Sequence, residues 1–276
     1  SCAYMKDLVA PFDSHTVMLT KEAGFTLLGK SNAPELGWAL ACEPTLYGTT
    51  KNPWDTSRTP GGSSGGAAAA VAARVLPIAE ASDGGGSIRV PASHSGLVGL
   101  KPGRGRVSMA PAAVDFWYGG ALFFCLTRTV RDTAAYLDVV NGSLPGEPYY
   151  APKPAVPFLT EASTAPGNLR IAMVTEAPEG CTPLDSEVKE AVLATGKLLE
   201  VLGHTVEAQP LPYDFWQIND LYTRITALQT AAWVDTMGAF VGRPPESGEI
   251  APLYVSMMEK GRAISGIEHS NDVEAL

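Results

Sequence analysis

Apolar residues recur at helical spacing in several segments of the chain. Residues 13–24 have the pattern of a helix, with Asp13 or Ser14 as the N-cap and Gly24 as the residue that ends it. Residues 185–202 are amphipathic, because their apolar residues fall on one side of a helix. Further helices are predicted over residues 67–75, 129–140, 214–241 and 251–264.

Short apolar segments between these helices are typical of strands. Residues 25–28 are predicted to form a buried strand, and the same pattern predicts strands over 76–81, 169–174 and 204–208. Strands that alternate with helices favour an α/β fold with a largely parallel sheet. Residues 142–167 are rich in Pro, Ser and Gly and are predicted to be a long surface connection.

Composition narrows the classes of partner. The formal net charge of −9 argues against a nucleic-acid-binding surface, which is usually basic. No apolar run is long enough to span a bilayer, so no membrane partner is expected. The four cysteines form no Cys-x-x-Cys pair and no His stands at ligand spacing, so zinc is not expected. Sparse cysteines in a long chain indicate reduced thiols and a cytoplasmic protein.

The first glycine-rich segment, residues 61–66, runs directly into the helix predicted over 67–75. A flexible linker does not usually abut such a helix, whereas glycines at a helix entry let the backbone approach a ligand closely. Residues 61–65 also match Gly-x-Ser-x-Gly, the nucleophile elbow of α/β-hydrolases. That elbow needs a buried strand before it, and the polar residues 55–60 are not one, so this interpretation is disfavoured.

The second glycine-rich segment is Asp-Gly-Gly-Gly-Ser at residues 83–87. Three glycines before a serine leave peptide N–H groups unshielded, and such groups can converge on the oxyanion that forms during acyl transfer. The plainer interpretation is a glycine turn that Ser87 caps. Either glycine-rich segment alone is weak evidence for a catalytic site.

Together the two segments resemble the amidase signature family. The resemblance rests on Gly-Gly-Ser-Ser-Gly-Gly at 61–66 and on Asp-Gly-Gly-Gly-Ser-Ile-Arg-Val-Pro-Ala at 83–92. It covers residues 4–132 at the level of motifs and residues 169–264 more loosely, and some stretches are similar to cyclic-amide hydrolases. The flanking motifs lie at 6–8, 28–37, 52–55 and 96–103.

This resemblance implies a role for each matching residue. Ser87 matches the nucleophile, Ser63 matches a bridging serine that follows a cis peptide bond, and Lys6 matches the base. The other matches are the oxyanion-binding amides of Gly84, Gly85 and Gly86 with that of Ser87, and two supporting residues, Ser64 and Arg89.

The implied chemistry is a proton relay. A serine hydroxyl is a poor nucleophile until a base takes its proton, and Lys6 accepts that proton through Ser63. A lysine can act as a base only when it is neutral, which burial favours, and the apolar residues 3–5 before Lys6 favour its burial. His94 lies close in sequence to the second serine but is interpreted as a structural histidine.

The resemblance also implies the architecture: one α/β domain over residues 1–276, with a central twisted mixed β-sheet flanked by helices. Residues 1–141 would hold the catalytic core, and residues 168–276 would continue the same domain. Family members have a longer loop between the positions of Lys6 and Asp13 and continue beyond the position of Leu276. The C-terminal part of the domain is therefore expected to be missing.

Two alternatives stay open at this point. The same serine motifs occur in the glutaminase component of tRNA-dependent amidotransferases, which passes ammonia to a partner chain. A non-enzymatic glycine-rich anion-binding module is the other, although the Gly-x4-Gly-Lys-Ser/Thr motif is absent. The hydrolase interpretation implies a small-molecule amide substrate and no metal or organic cofactor. It leaves a homodimer open, and the sequence does not identify the amide.

Overall fold

The computed structural model describes residues 1–111, 113 and 115–276. Its contacts divide the chain into two compact units, one of Ser1–Ser163 with Arg224–Val273 and one of Thr164–Thr223 with Glu274–Leu276. The single domain expected over 1–276 stays a prediction. The helices are α1 (His15–Glu22), α2 (Gly65–Ala72), α3 (Arg89–Ser95), α4 (Val130–Val140), α5 (Phe158–Glu161), α6 (Ser186–Val201), α7 (Phe215–Val241), α8 (Pro252–Ala263) and α9 (Gly266–Ala275).

The first unit contains a three-stranded antiparallel sheet in the order β1-β3-β2. Its strands are β1 (Ile78–Asp83), β2 (Val98–Gly99) and β3 (Leu122–Thr127). The side chains of Phe124 and Leu126 lie in a buried core with Ile88 and with Val140 of α4. Because β1 ends at Asp83, the second glycine-rich segment leaves the sheet at the edge of this core.

The second unit contains a βαβ arrangement. Strand β4 (Arg170–Met173) pairs in parallel with β5 (Thr205–Ala208), and α6 connects them. Gly196 of α6 lies so close to the sheet that an added Cβ would be 2.7 Å from the Met173 sulfur. The parallel pairing predicted from the alternating pattern is confirmed here, whereas the sheet of the first unit is antiparallel.

All six predicted helices are confirmed, with ends that shift by up to three residues. Helix α1 begins after Ser14, whose Oγ accepts a hydrogen bond from the Val17 N–H, and Gly24 after its end has a φ of 86°. Helix α4 begins after Thr129, whose side chain accepts from the Asp132 N–H. The pattern does not predict α3, α9 or β3, although β3 is an apolar run.

The prediction of a buried strand over residues 25–28 is wrong. These residues pair with no strand in the part of the chain that the structure describes, and they are exposed: 51% of Leu27 and 75% of Leu28. They line an open cavity of about 720 Å³ together with Ile78 and Glu80 of β1. A short apolar run becomes a strand only where a neighbouring strand takes its backbone hydrogen bonds, and none does so here.

Candidate active site

The first serine lies in a tightly packed loop before α2. The Gly62–Ser63 peptide bond is cis, as the resemblance predicts. Gly62 has no room for a side chain, since an added Cβ would lie 2.5 Å from the Ala39 carbonyl oxygen. Ser63 is 3% exposed. The backbone of residues 39–41 therefore fixes the position of this serine from one side.

Ser64 fastens the first serine loop to the second. Its Oγ donates to the Ser82 carbonyl at 3.3 Å and accepts from the Ser82 N–H at 3.1 Å, so the loop is held to the end of β1. The Ser64 N–H also donates to the Ser87 carbonyl at 3.4 Å. The structure thus brings the two serine loops together through Ser64, and the supporting role of Ser64 in the chemistry stays a prediction.

Asp83 organises the second glycine-rich segment from within. Its side chain is fully buried and accepts hydrogen bonds from the N–H groups of Gly86, Ile88 and Arg89. The Arg89 guanidinium binds both carboxylate oxygens, at 2.8 and 2.9 Å. Burial alone would raise the pKa of Asp83, but Arg89 and the backbone N–H groups outweigh it and lower that pKa.

The motif resemblance assigns Arg89 a supporting role but gives none to Asp83. A signal for Asp83 is present in the sequence, because an acidic residue opens the glycine-rich segment and an arginine follows six positions later. A carboxylate at the start of a glycine-rich loop can accept hydrogen bonds from several of its backbone N–H groups. The hydrogen bonds that the buried Asp83 carboxylate accepts from the exposed Arg89 side chain and from the backbone hold the segment in a fixed shape.

The predicted set of oxyanion donors needs one correction. The Gly86 N–H donates to an Asp83 carboxylate oxygen at 2.9 Å, so this amide is already used. Within the described part of the chain, the N–H groups of Gly84, Gly85 and Ser87 donate to no acceptor. Three amides of the segment are therefore available to bind an oxyanion.

Lys6 is exposed, so the prediction that it is buried is wrong. It follows the 3₁₀ turn Ala3–Met5, in which Tyr4 takes the buried position and donates its hydroxyl to the Arg243 carbonyl at 2.6 Å. The apolar residues before Lys6 thus bury Tyr4 rather than the lysine. Lys6 does line an open cavity of about 610 Å³ together with Gly37. An added Cβ on Gly37 would lie 3.7 Å from the Ser63 Oγ.

The predicted relay is not closed in this structure. Among the described residues, the hydroxyls of Ser63 and Ser87 have no hydrogen-bond partner, and neither has the Lys6 ammonium. Both serines are buried, at 3% and 8% exposure, within loops that contact each other. The structure therefore brings the two serine loops together and leaves the contact with Lys6 unmade.

A second lysine lies near the second glycine-rich segment. Lys101 is half-buried, and burial lowers the pKa of its ammonium, while the negative charge of Asp83 acts in the opposite sense. The positive charges of Arg89 and Arg104 lower this pKa further. The sequence motifs give Lys101 no role, but its surroundings lower its pKa, so it is the alternative base with which Lys6 has to be compared.

The part of the chain that the structure describes holds neither a metal-binding cluster nor a membrane-spanning helix. No group of three or more of its His, Cys, Asp and Glu side chains is arranged to hold a metal ion. None of the described helices combines the length and the apolar character that crossing a membrane requires.

The chain is similar in sequence to a known family and to a protein within it. The model of the Amidase family matches residues 1–258. The 6-aminohexanoate-cyclic-dimer hydrolase of Paenarthrobacter ureafaciens is 38% identical over 270 residues, which are 97% of this chain and 55% of that protein. This chain therefore spans about half the length of that relative.

Solved structures of related proteins are also similar to this chain. A 6-aminohexanoate cyclic dimer hydrolase complexed with substrate has a TM-score of 0.93 at 36% identity, over 99% of this chain and 58% of that one. A glutamyl-tRNA(Gln) amidotransferase subunit from Thermotoga maritima has a TM-score of 0.71 at 29% identity, over 99% of this chain and 58% of that one.

Proposed function

Because this chain belongs to the amidase signature family, we propose that it hydrolyses carboxamide C–N bonds through an acyl-enzyme on Ser87. The match to the family model over residues 1–258 confirms the resemblance that the serine motifs indicate. The observation that carries the proposal is the contact between the two serine loops, beside three amides that have no acceptor among the described residues. This combination of a serine pair and unpaired N–H groups suits acyl transfer.

In the first half-reaction, the Ser87 oxygen attacks the carbonyl carbon. Its proton passes to Ser63, and the proton of Ser63 passes to the Lys6 amine. The carbonyl oxygen becomes an oxyanion, which accepts hydrogen bonds from the available N–H groups of the second segment. The C–N bond then breaks as a proton returns along the same path to the leaving amine, and an ester remains on Ser87.

In the second half-reaction, water attacks the ester carbon and gives its proton to the same relay. The ester bond breaks, the Ser87 oxygen regains a proton, and the carboxylic acid leaves. The relay needs the Lys6 amine within hydrogen-bond reach of Ser63. Catalytic hydrogen bonds often tighten only when substrate is bound, so the exposed position of Lys6 is compatible with the proposal.

The substrate class to test first follows from the relatives. The first of them is named for the cyclic dimer of 6-aminohexanoate, so we propose aliphatic cyclic and linear amides as candidate substrates. The cavity that Lys6 and Gly37 line has room for such a molecule. A cytoplasmic location is also proposed, supported by cysteines that are all free thiols in the structure.

The role of Lys6 is tested by comparing two lysine variants on two substrates. Lys6→Ala should slow amide hydrolysis by at least about 100-fold and slow an activated ester less, since a good leaving group needs no proton. Lys101→Ala, the variant of the alternative base, should keep most of its activity. Equal losses of Lys6→Ala on amide and ester would reject the relay, and a larger loss in Lys101→Ala would move the base to Lys101.

The likeness to an amidotransferase component supports one alternative, an ammonia-producing glutaminase that works with a partner chain. Purification of the tagged chain from its native host distinguishes the two. Glutaminase activity that depends on a co-purifying second chain would favour the alternative. Amide hydrolysis by the isolated chain, as a monomer or a homodimer, would favour the hydrolase.

A further inference from the structure

Trp38 and Trp117 lie next to the two serine loops, and each donates a hydrogen bond to helix α7. The indole Nε1–H of Trp38 donates to the Thr230 Oγ1 at 2.7 Å. The backbone N–H of Trp117 donates to the Gln229 Oε1 at 2.6 Å. Thr230 and Gln229 are consecutive residues of α7. The two indole rings also contact each other, with centroids 5.0 Å apart. One short stretch of α7 therefore fixes both tryptophans.

Trp117 packs against the loop that carries the available N–H groups. A Cβ added to Gly84 would lie 2.2 Å from a carbon of the Trp117 ring, so the ring lies in direct contact with the backbone of Gly84. Trp117 is 9% exposed and also stacks on Phe116. A shift of this ring would therefore move the Gly84 peptide, which is one of the proposed oxyanion donors.

Trp38 plays the corresponding part for the first serine loop. It lies between Gly37, which faces the Ser63 Oγ, and the backbone of residues 39–41. A Cβ added to Gly62 would lie 2.5 Å from the Ala39 oxygen and 2.8 Å from the Ala41 nitrogen. The segment that carries Trp38 is thus the surface on which Gly62 and Ser63 rest.

The backbone at Trp117 shows that its position is enforced. Trp117 and Tyr118 both have a φ of 53°, and Gly119 follows with a φ of 71°. Two consecutive non-glycine residues in the left-handed region are unfavourable, and such conformations persist where the surroundings hold them. The surroundings here are the Gln229 side chain and a hydrogen bond of 2.6 Å between the Tyr118 hydroxyl and the His269 Nε2.

We propose that Trp38 and Trp117, held by Thr230 and Gln229, form a brace that sets the distance between Ser63 and the oxyanion-binding amides. The four are positioning residues, because they act through the two loops and not on the substrate. This inference rests on the proposed function, since it assigns the brace to the same site. It makes a stretch of α7, which none of the serine motifs includes, part of the machinery for hydrolysis.

The test measures how fast a fluorophosphonate labels Ser87 in the whole chain. Thr230→Val and Gln229→Met remove the two acceptors with little change of shape. The conservative variants Thr230→Ser and Gln229→Glu each keep an acceptor oxygen. Thr236→Val is the matched control, because Thr236 is an exposed residue of α7 whose hydroxyl bonds within the helix to the Ala232 carbonyl. The melting temperature is measured for each variant, together with kcat and KM on an amide.

We expect Thr230→Val and Gln229→Met to be labelled at least about tenfold more slowly than the natural chain, with kcat reduced and KM within about twofold, because the donors and the nucleophile are misplaced. Thr230→Ser, Gln229→Glu and Thr236→Val should react at close to the natural rate. A purely structural role would lower the melting temperature and leave the labelling of the folded protein unchanged.

Normal labelling rates in both acceptor-free variants would overturn the brace and leave the proposed function intact. If the natural chain were not labelled at Ser87, the proposed function would fail, and the brace with it. If Thr230→Val did not fold, the rate in Gln229→Met would decide, since Gln229 is less buried and its acceptor serves the other tryptophan.

Discussion

At the scale of single residues, the site depends on glycines whose neighbours leave no room for a side chain. Gly62 rests on the backbone of residues 39–41, and Gly84 rests on the Trp117 ring. Glycine lets the chain come this close to other groups without a steric clash. At these two positions glycine is therefore required by packing, which the backbone dihedral angles alone would not reveal.

The substitution Gly84→Ala tests this packing. The new Cβ would lie 2.2 Å from the Trp117 ring, so either the ring or the Gly84 peptide must move. Since losing one oxyanion donor typically costs about 10²–10³ in rate, we expect kcat on an amide to fall by about 100-fold. Gly103→Ala is the control, because an added Cβ there meets nothing within 4 Å. Equal activity of the two variants would contradict the packing argument.

Asp83 and Arg89 make the second prediction at this scale. The lowered pKa of Asp83 means that its ionised form contributes stability above the pKa it has when unfolded, about 3.9. That contribution is lost as the pH falls through the folded-state pKa. Asp83→Asn should therefore lower the free energy of unfolding at pH 7 by roughly 2 kcal/mol and flatten its fall in acid. Urea unfolding at several pH values measures both effects, and an unchanged acid limb would contradict them.

At the scale of elements, β1 connects the core to the site and also carries an acidic residue beside the cavity over residues 25–28. Glu80 is exposed as a residue, but its carboxyl lies among protein atoms, and this partial burial raises its pKa, while a hydrogen bond from Thr16 acts in the opposite sense. A raised pKa means that stability is fully present below the unfolded-state value and is lost as the pH rises through the folded-state value. The ionised Glu80 should therefore weaken the fold near neutral pH.

Glu80→Gln tests this expectation by removing the charge at nearly constant shape. The melting temperature should rise at about pH 8 and stay unchanged at about pH 3.5, where the carboxyl is protonated in both states. Glu22→Gln, on the exposed surface of α1, is the control and should change the melting temperature at neither pH. A destabilised Glu80→Gln variant at pH 8 would show that the charged carboxylate is needed.

The elements also show which parts of the structure the sequence can predict. Helices such as α1 and α4 are predictable because their caps and their periodicity are local. The segment 25–28 is not, because a strand exists only with its partner. The serine loops follow from motifs, but the exposure of Lys6 does not. Tyr4 takes the buried position through a contact with Arg243, which lies far along the chain.

At the scale of the whole molecule, all the residues given a role lie in the first compact unit. The serine loops come from its N-terminal part, and the two anchors of the brace come from α7 within Arg224–Val273. The chain spans 55% of the first relative's length, so the activity has to be shown on this chain itself. We therefore expect the parts present here to suffice to form an acyl-enzyme.

The most direct test is to trap that intermediate. The chain is mixed with an aliphatic amide, or with the matching activated ester, quenched in acid during turnover, digested, and mapped by mass spectrometry. We expect one added acyl mass on the peptide that carries Ser87, and none in the Ser87→Ala variant. Turnover that persists in Ser87→Ala, or an acyl group found on another residue, would contradict it.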